Sequence, residues 1–593
     1  MKVFLLVTSF APLVNTLSIF PNTFCGSRYH GESILKKPDI SSRCNKSALF
    51  VVSPPSSTAA SVSSADKRIQ PFANFDYESH WYPVSWSCDL ELNEPTKITV
   101  FDVDYVVAKT SDNEVTAMKN ICPHKAAALS EGRITSAGYF QCAYHGWSFD
   151  GKSGKCVEIP QIIRDRSEGA SGATIPARAS SDAVPAQIHQ GVVWLFPGGG
   201  IEKALCAPPP PTIPEFDQFK LTSTVRDMPV DFPILLSNIC DPDHGLFAHQ
   251  SKGFDLYTSS LDCPFESFES EEKDDGKGWT LTSKVDAKNK LLEVDAKLRK
   301  QLDPKKMSGR DKKKQSSDIP WATFEFHAPN HVIMKRINKE SGETKFISIF
   351  YVCPVGVGRS RFMGGTLSAL ALPRWVNHIV VNNFLDQDTY LLATQQTNIL
   401  NQEAKELRSI MEEEGISRAE IDKIRKIRMT TRRKLFCLPS PTEKIGSKIE
   451  QFWDETLARV PNRVQTLLKL DDANAFAVTP SRSFVLDRKA QTTDISKDSR
   501  DFVVGCQRVQ KGTNIVALAL VLAKIASLSN CAILRFASVL KPGAKTSLVL
   551  AMSLFLSTIA AKKAEKEFYF KYTDSMRRSD MNKIPNEIWL DKE

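Results

Sequence analysis

Two short motifs, each containing one cysteine and one histidine, constrain this chain more than any other feature. Cys122-Pro-His124 is followed further along by Cys142-Ala-Tyr-His145. Two thiolates on one iron and two imidazoles on the other suit a [2Fe–2S] centre, whose reduction potential is raised by the neutral imidazoles. The fold must therefore bring two short loops together around one site. We predict a one-electron centre there, and the acceptor of its electrons decides the function.

Zinc is the alternative metal, since two cysteines and two histidines also bind it tetrahedrally. Zinc fingers usually pair cysteine with cysteine and histidine with histidine, whereas each motif here contains both residue types. Each motif also lies in a short loop between strand-like runs, and Gly146-Trp147 directly follows the second histidine. This pattern favours a Rieske-type cluster. Tyr144 could donate a hydrogen bond to a cluster sulfur or could be a packing residue.

The composition is that of an ordinary folded protein, and 593 residues suffice for more than one domain. Much of the formal charge of +9 comes from two basic runs, Lys297 to Lys314 and Lys423 to Lys434. Such runs are typical of solvated loops or helix faces, and no nucleic-acid-binding motif accompanies them. The thirteen cysteines are spread thinly along the chain. We therefore expect neither a nucleic-acid-binding protein nor a secreted disulfide scaffold.

Strand-like runs separated by turn residues extend from Trp81 to about Trp194 and predict an all-β domain. Pro208 to Pro211 then predict a stiff linker. Beyond it, strand-like runs are mixed with two long helical patterns, over roughly 375–400 and 402–433. The sequence therefore predicts an α+β protein with domains at 75–207 and 215–485.

Residues 1–65 have the composition of a bipartite targeting leader. Met1-Lys2 and the apolar run Val3 to Val7 are typical of a signal peptide, and the serine-rich, acid-poor segment that follows is typical of a transit peptide. Ser9-Phe10-Ala11-Pro12 is close to the cleavage pattern of such leaders in algae with complex plastids. We predict a plastid of that kind, with a disordered N-terminal tail as the alternative.

Two apolar stretches near the C-terminus predict a helical hairpin within 505–593. Ile515 to Leu528 continues with interruptions to about Leu540, and Ser547 to Ala561 follows after Pro542-Gly543. The second stretch is short for a bilayer crossing. We expect the hairpin to attach to a membrane, either envelope or thylakoid. A pair of buried core helices and a pair lying in the membrane interface are the alternatives.

A second group of residues could bind the metal ion that accepts the electrons. His244 and His249 lie five residues apart, close enough to bind one metal, and Asp241 precedes them. Iron(II) that binds dioxygen takes two histidines and one carboxylate, which leaves coordination positions open. Asp386 and Asp388 are the candidates for that carboxylate.

At this point the chain resembles the Rieske-type non-haem iron oxygenases. The narrower resemblance is to their plastid branch, which contains pheophorbide a oxygenase, chlorophyllide a oxygenase and the Rieske protein of the inner-envelope translocon. It implies an all-β Rieske domain followed by a helix-grip domain, an antiparallel sheet with helices that holds a mononuclear iron. The resemblance runs from about His80 to Asp487, and the motifs that carry it are Trp81-Tyr82-Pro83-Val84, Cys122-Pro-His124-Lys, Leu129-Ser-Glu-Gly-Arg133, Cys142-Ala-Tyr-His145-Gly-Trp, Ile159-Pro-Gln, Asn238-x-x-Asp241-Pro-x-His244-x4-His249 and Asp386-Gln-Asp388.

The resemblance also implies roles for single residues. Asp241 would link a cluster histidine to an iron-binding histidine across a subunit boundary, which requires a closed cyclic homo-oligomer, commonly a trimer. The other interpretation of Asp241 is a helix N-cap before Pro242. The implied ligands are Cys122, His124, Cys142 and His145 for the [2Fe–2S] cluster, and His244, His249 and Asp388, with Asp386 as the alternate, for the mononuclear iron.

These features predict a membrane-associated plastid monooxygenase that oxidises a chlorophyll-derived tetrapyrrole with O2. No Gly-x-Gly-x-x-Gly motif opens a βαβ unit, so a separate protein must supply the electrons, and the resemblance implies ferredoxin. The alternative is a redox-sensing or electron-transfer component of a plastid envelope complex such as the import translocon. The presence of His244, His249 and Asp388 argues against that alternative, since a carrier has no use for an iron triad.

Overall fold

A computed structural model of the chain describes most of the two predicted domains and parts of the C-terminal hairpin. The predicted leader, the first basic run and His249 lie outside the described residues. The described residues are Phe72, 74–111, 114–162, 174–241, His244, Ala248, 267–272, 279–285, 321–337, 341–369, 371–439, 443–469, 479–491, 497–528 and 544–569.

The first part of the fold consists of three small antiparallel sheets, with strand orders β1-β11-β10, β2-β3-β4-β9 and β5-β6-β7-β8. Apolar residues of the two four-stranded sheets form a core that includes Val106, Met118 and Phe140. The strands are β1 (Tyr82–Trp86), β2 (Thr96–Val100), β3 (Val103–Ser111), β4 (Glu114–Lys119), β5 (Arg133–Ile134), β6 (Phe140–Gln141), β7 (Ser148–Phe149), β8 (Cys156–Glu158), β9 (Ala183–Val184), β10 (Ala186–His189) and β11 (Val192–Leu195).

The second part is built on one seven-stranded antiparallel sheet, ordered β12-β18-β17-β16-β15-β14-β13. Neighbours along the chain pair directly from β13 to β18, whereas β12 pairs with β18 at the far edge. The strands are β12 (Lys220–Met228), β13 (Ser267–Glu272), β14 (Trp279–Val285), β15 (Trp321–His327), β16 (His331–Ile337), β17 (Thr344–Gly356) and β18 (Arg359–Ser368).

Helices account for most of the remaining described residues. Short 3-10 turns lie at Tyr77–Ser79, Ser87–Asp89, Leu129–Glu131, Ala177–Ala179, Phe216–Gln218, Arg418–Glu420 and Leu457–Arg459. The α-helices are α1 (Ile201–Cys206), α2 (Phe232–Ile239), α3 (Arg374–Glu414), α4 (Ile421–Ile424), α5 (Thr431–Leu435), α6 (Lys444–Thr456), α7 (Arg463–Lys469), α8 (Arg482–Val485), α9 (Arg488–Gln491), α10 (Lys497–Leu528) and α11 (Ala544–Phe568).

The seven-stranded sheet contacts the first part of the fold through an aromatic cluster. The Trp194 and Tyr351 ring centroids lie 5.4 Å apart, and the Trp86 indole N–H donates to the carbonyl of Thr224 at 2.9 Å. The β2–β3 turn extends this contact, since the Phe101 and Asp102 N–H groups donate to carbonyls of β17, each at 2.8 Å. The two parts of the chain are therefore fixed to each other by both apolar burial and hydrogen bonds.

The long helix α3 corrects one prediction. The sequence predicted two helices that meet near residue 401, but one helix runs continuously from Arg374 to Glu414. No glycine or proline interrupts it. It ends at Gly415, which adopts the left-handed conformation (φ 63°) and donates its N–H to the carbonyl of Met411. The predicted second helix beyond that point is divided into short segments.

Buried charges fix the C-terminal half of α3. Glu403 is fully buried and accepts hydrogen bonds from Arg432 and Arg463, each at 2.6 Å. Arg463 also donates to Asp231 at 2.7 Å, immediately before α2. Gln396 of α3 accepts the Asp231 N–H at 2.6 Å. These contacts hold the start of α2 against α3.

The C-terminal helices form the predicted hairpin, but its membrane-spanning character is not supported. Gln507 donates to Glu565 at 2.6 Å and the Thr513 and Thr558 hydroxyls lie 2.6 Å apart, so α10 and α11 run antiparallel. Within the described part of the chain, no helix is both long enough and apolar enough to cross a bilayer. The apolar run of α11 is shorter than the roughly 20 residues that a crossing needs.

Candidate functional site

Two loops with the same backbone pattern carry the first constellation. In each loop the cysteine carbonyl accepts the N–H of the residue four positions on, Ala126 at 2.9 Å and Gly146 at 3.0 Å. The cysteine N–H donates to the carbonyl five positions on, at 2.8 Å for Cys122 and 2.9 Å for Cys142. Ala126 and Gly146 both have positive φ, 58° and 74°. The two loops therefore have the same backbone conformation, and each presents one cysteine and one histidine to the same site.

The side chains of these loops lie next to one another as the sequence predicted. The rings of His124 and His145 have centroids 4.4 Å apart, and Cys122 and Cys142 are both buried. Burial raises the pKa of Cys122 to about 11; the backbone N–H of His124 opposes this shift, and the neighbouring Cys142 thiol reinforces it. A buried thiol of this kind becomes a thiolate only beside a strong positive centre such as a metal.

A buried ring nitrogen adds to the case for a metal group. His124 stacks on Trp147, with centroids 4.6 Å apart and the rings almost parallel at 5°. Its Nδ1 is buried and has no hydrogen-bond partner among the described residues. A buried polar atom usually has a hydrogen-bond partner, so this nitrogen is available to a metal. Two imidazoles and two thiols together are the donor set of a [2Fe–2S] cluster with mixed ligands. The residues therefore fit the cluster.

Tyr144 lies on the surface of this site. Its side chain is 63% exposed, its ring lies 4.0 Å from the His145 ring, and Lys125 Nζ is 6.0 Å from the same tyrosine ring. This position does not fit the interpretation of Tyr144 as a core packing residue.

The second constellation joins two distant parts of the sequence. His244 follows α2, and its Nδ1 lies 2.6 Å from the Asp241 carbonyl oxygen. Its Nε2 lies 3.6 Å from Oδ2 of Asp388 on α3. Burial lowers the pKa of His244, but the hydrogen bond and negative charge of Asp388 outweigh this effect and the pKa is raised. The structure thus brings together two of the three residues proposed to bind iron; the third, His249, lies outside the described residues.

Asp386, the alternate ligand, has a different environment. Its two carboxylate oxygens accept hydrogen bonds from Arg226 and Arg488, each at 2.7 Å, and all three side chains are buried. A carboxylate occupied by two guanidinium groups is poorly placed to bind iron. One local signal of this cluster is present in the sequence: Arg226 lies within a strand-like run, and a charge in a buried strand requires a partner.

Within the described ranges, no three histidine, cysteine or acidic side chains converge as a ready metal site. This finding is compatible with the proposed ligand sets. Each iron of a Rieske cluster takes only two protein ligands, and the described part of the mononuclear site contributes only His244 and Asp388.

Comparisons with known proteins match two segments of the chain to family models. Residues 80–167 match the family model for the Rieske [2Fe-2S] domain, and residues 326–406 match the model for pheophorbide a oxygenase. This chain combines a Rieske domain with a pheophorbide a oxygenase domain. Its homologues also include chloroplastic chlorophyllide a oxygenases. The cofactors of these domains are a [2Fe–2S] cluster and a mononuclear iron, as the sequence predicted.

Two curated relatives and one solved structure illustrate the extent of similarity. Protochlorophyllide-dependent translocon component 52 of Arabidopsis thaliana is 29% identical, over 55% of this chain and 60% of its own length. Pheophorbide a oxygenase of Oryza sativa subsp. japonica is 38% identical, over 33% of this chain and 36% of its own length. The solved structure of Pseudomonas putida CBB5 NdmB has a TM-score of 0.44 at 17% identity, and the superposition covers 65% of this chain and 94% of that one.

The chain spans 60% or less of the length of these two curated relatives. Both are chloroplastic, which supports a plastid location for this chain.

Proposed function

We propose that this chain is a Rieske-type monooxygenase that uses O2 and electrons from ferredoxin to oxidise a chlorophyll-derived tetrapyrrole such as pheophorbide a or chlorophyllide a. The observation that carries the proposal is the 3.6 Å approach of His244 Nε2 to Asp388 Oδ2. The two residues come from distant parts of the sequence, and the chain that joins them also has a Rieske domain. An electron carrier would not need such a pair.

The proposal assigns a task to each residue of the two sites. When bound, the cluster supplies electrons singly and the mononuclear iron activates O2. Cys122, Cys142, His124 and His145 hold the cluster at the surface of the Rieske domain. His244, His249 and Asp388 hold the iron, and the Asp241 carbonyl orients the His244 ring by accepting from Nδ1.

Asp241 would also serve as the electron bridge between the centres. Its carboxylate would accept a hydrogen bond from a cluster histidine of a neighbouring chain, and the partly exposed ring of His145 suits such a contact. This arrangement requires a cyclic homo-oligomer, which we propose to be a trimer.

We propose that the C-terminal hairpin lies against a plastid membrane without crossing it. Large apolar side chains are exposed on both helices: Ile515, Val516, Leu518, Leu550, Met552, Phe555, Leu556 and Ile559. A contiguous exposed apolar surface marks an interaction site, and we propose that these side chains form one that faces the membrane. Flotation with chloroplast-lipid vesicles should recover the full-length protein with the lipid, and substitution of Leu518 and Phe555 by serine should leave it at the bottom of the gradient. Equal recovery of both proteins would contradict this proposal.

The leader predicted at residues 1–65 supports a further proposal, that the protein is located in the complex plastid of an alga.

Single-turnover chemistry tests the proposed function. The reduced, iron-loaded protein should consume O2 and yield an oxygenated product with pheophorbide a or chlorophyllide a. His244→Ala should abolish turnover and leave the visible spectrum of the cluster unchanged. No oxygenated product with any tetrapyrrole tested would refute the proposal.

The second candidate is a redox-sensing or electron-transfer role in a plastid envelope complex such as the import translocon. It is favoured by the similarity to a relative whose name is protochlorophyllide-dependent translocon component 52. Metal analysis distinguishes the two functions. About two irons per chain would support the carrier, and about three would support the oxygenase.

A further inference from the structure

The C-terminal hairpin is fixed to the beginning of α3 at two points. The ring of Phe502 on α10 stacks on Trp375, with centroids 4.1 Å apart and an interplanar angle of 1°. The ring of Phe568 at the end of α11 stacks on His378, with centroids 4.0 Å apart at 15°. Both helices of the hairpin therefore contact the same end of α3, roughly two turns or more before Asp388.

Arg488 connects this contact to the proposed iron site. The side chain is 2% exposed, and its three nitrogens reach three different partners. Nη1 donates to the Glu567 carbonyl at the end of the hairpin at 2.6 Å. Nη2 donates to the Asn383 side chain at 2.6 Å, and Nε donates to Asp386 at 2.7 Å. One buried guanidinium thus links the hairpin to two residues of α3.

The partners of Asp386 fix the rotation of this part of α3. Its other oxygen accepts from Arg226 of β12 at 2.7 Å, and Arg226 Nε also donates to Gln491 at 2.8 Å. Two residues along an α-helix correspond to a rotation of about 200°, so Asp386 and Asp388 point to nearly opposite sides. When Asp386 is held between two arginines, Asp388 is directed to the other side of α3, where His244 lies.

We propose that Arg488 is a positioning residue through which the docked C-terminal hairpin sets the iron affinity of the Asp388–His244 site. This inference rests on the proposed function, in which Asp388 binds iron. The hairpin is then more than an attachment element, because displacement of its end removes the Glu567 carbonyl that holds Arg488 and the Phe568 ring that stacks on His378.

Arg488→Met in the full-length protein tests the proposal. We expect the affinity for the mononuclear iron(II) to fall about 10- to 100-fold, the usual effect of removing a residue that orients a metal ligand. Competition with a chelator measures the affinity, and the visible circular dichroism of the Rieske cluster should not change. Phe568→Ala, which removes the stacking on His378, should weaken iron binding in the same direction.

Arg432→Met is the matched control. It also removes one of two buried arginines that share a carboxylate of α3, here Glu403. We expect it to lower stability by a similar amount but to leave the iron affinity unchanged. Unchanged affinity in Arg488→Met, equal loss in both arginine variants, or unchanged affinity in Phe568→Ala would each overturn the inference.

Hydrogen exchange separates this inference from the proposed function. Arg488→Met and Phe568→Ala should speed exchange in residues 383–389, and Arg432→Met should not. If the wild-type protein binds no third iron, the proposed function fails. The exchange data then still decide whether the hairpin holds this turn of α3, and unchanged exchange would refute that role.

Discussion

Asp386 and Asp388 are equally buried, but exchanging each carboxylate for an amide should have a different main effect: loss of stability at Asp386 and loss of the iron ligand at Asp388. Asp386 is 4% exposed and Asp388 is 5% exposed, and Asp→Asn changes charge with almost no change of shape. Asp386→Asn leaves Arg226 and Arg488 buried without their counter-charge. Uncompensated buried charges cost about 3–5 kcal/mol. We therefore expect Asp386→Asn to lower the free energy of unfolding by about that amount.

Asp388→Asn should instead affect the metal. Its carboxylate is proposed to bind iron, and its Oδ2 lies 3.6 Å from His244 Nε2. We expect this variant to fold with less than about 1 kcal/mol lost and to lose the mononuclear iron while retaining the Rieske spectrum. Denaturant unfolding measures the first quantity, and iron analysis of the dialysed protein measures the second.

The comparison is refuted by the reverse pattern. If Asp386→Asn is stable and loses its iron while Asp388→Asn retains it, then the alternate ligand is correct. The buried arginines would then be partners of a metal-bound carboxylate.

Two further predictions concern pH and the cluster loops. Burial, and then the charges of Arg488, Arg226 and Arg374, lower the pKa of His378 from 6.5 to about 3. Below about pH 6.5 the unfolded chain binds a proton that the folded chain does not. The free energy of unfolding therefore decreases as the pH is lowered, by roughly 1.3 kcal/mol between about pH 7 and pH 5.5. His378→Phe should remove this part of the dependence in denaturant unfolding, and an unchanged dependence would contradict the assignment. Gly132→Ala places a Cβ 2.1 Å from the Gln141 carbonyl oxygen, next to Cys142, and should lower the cluster content of the purified protein. Gly200→Ala is the control, because its added Cβ meets nothing within 4 Å. Equal cluster content in the two variants would contradict this prediction.

The sequence predicted the Rieske domain and the approach of its two loops because these signals are local. Each cysteine lies within three residues of its histidine, and each loop closes with its own backbone hydrogen bonds. The strand-rich first half and the mixed second half were also predicted, since turn residues and helical periodicity are local properties.

The mononuclear site could be predicted only in part, because its distinguishing contacts join distant segments. Without the family resemblance, which favours Asp388, Asp386 and Asp388 are equivalent candidates in the sequence. The partners that distinguish them, Arg226 and Arg488, lie 160 and 102 positions away from Asp386. The expected division of α3 near residue 401 was wrong because two adjoining helical patterns carry no sign that they share one axis.

The most direct test of the account is a single turnover under ¹⁸O2. The reduced protein, loaded with iron and mixed with pheophorbide a or chlorophyllide a, should transfer one ¹⁸O atom into the tetrapyrrole, as detected by mass spectrometry. His244→Ala should transfer none, although its cluster still assembles and keeps the wild-type visible spectrum. Unlabelled tetrapyrrole from the wild-type protein, with cluster oxidation and three irons bound, would contradict the account.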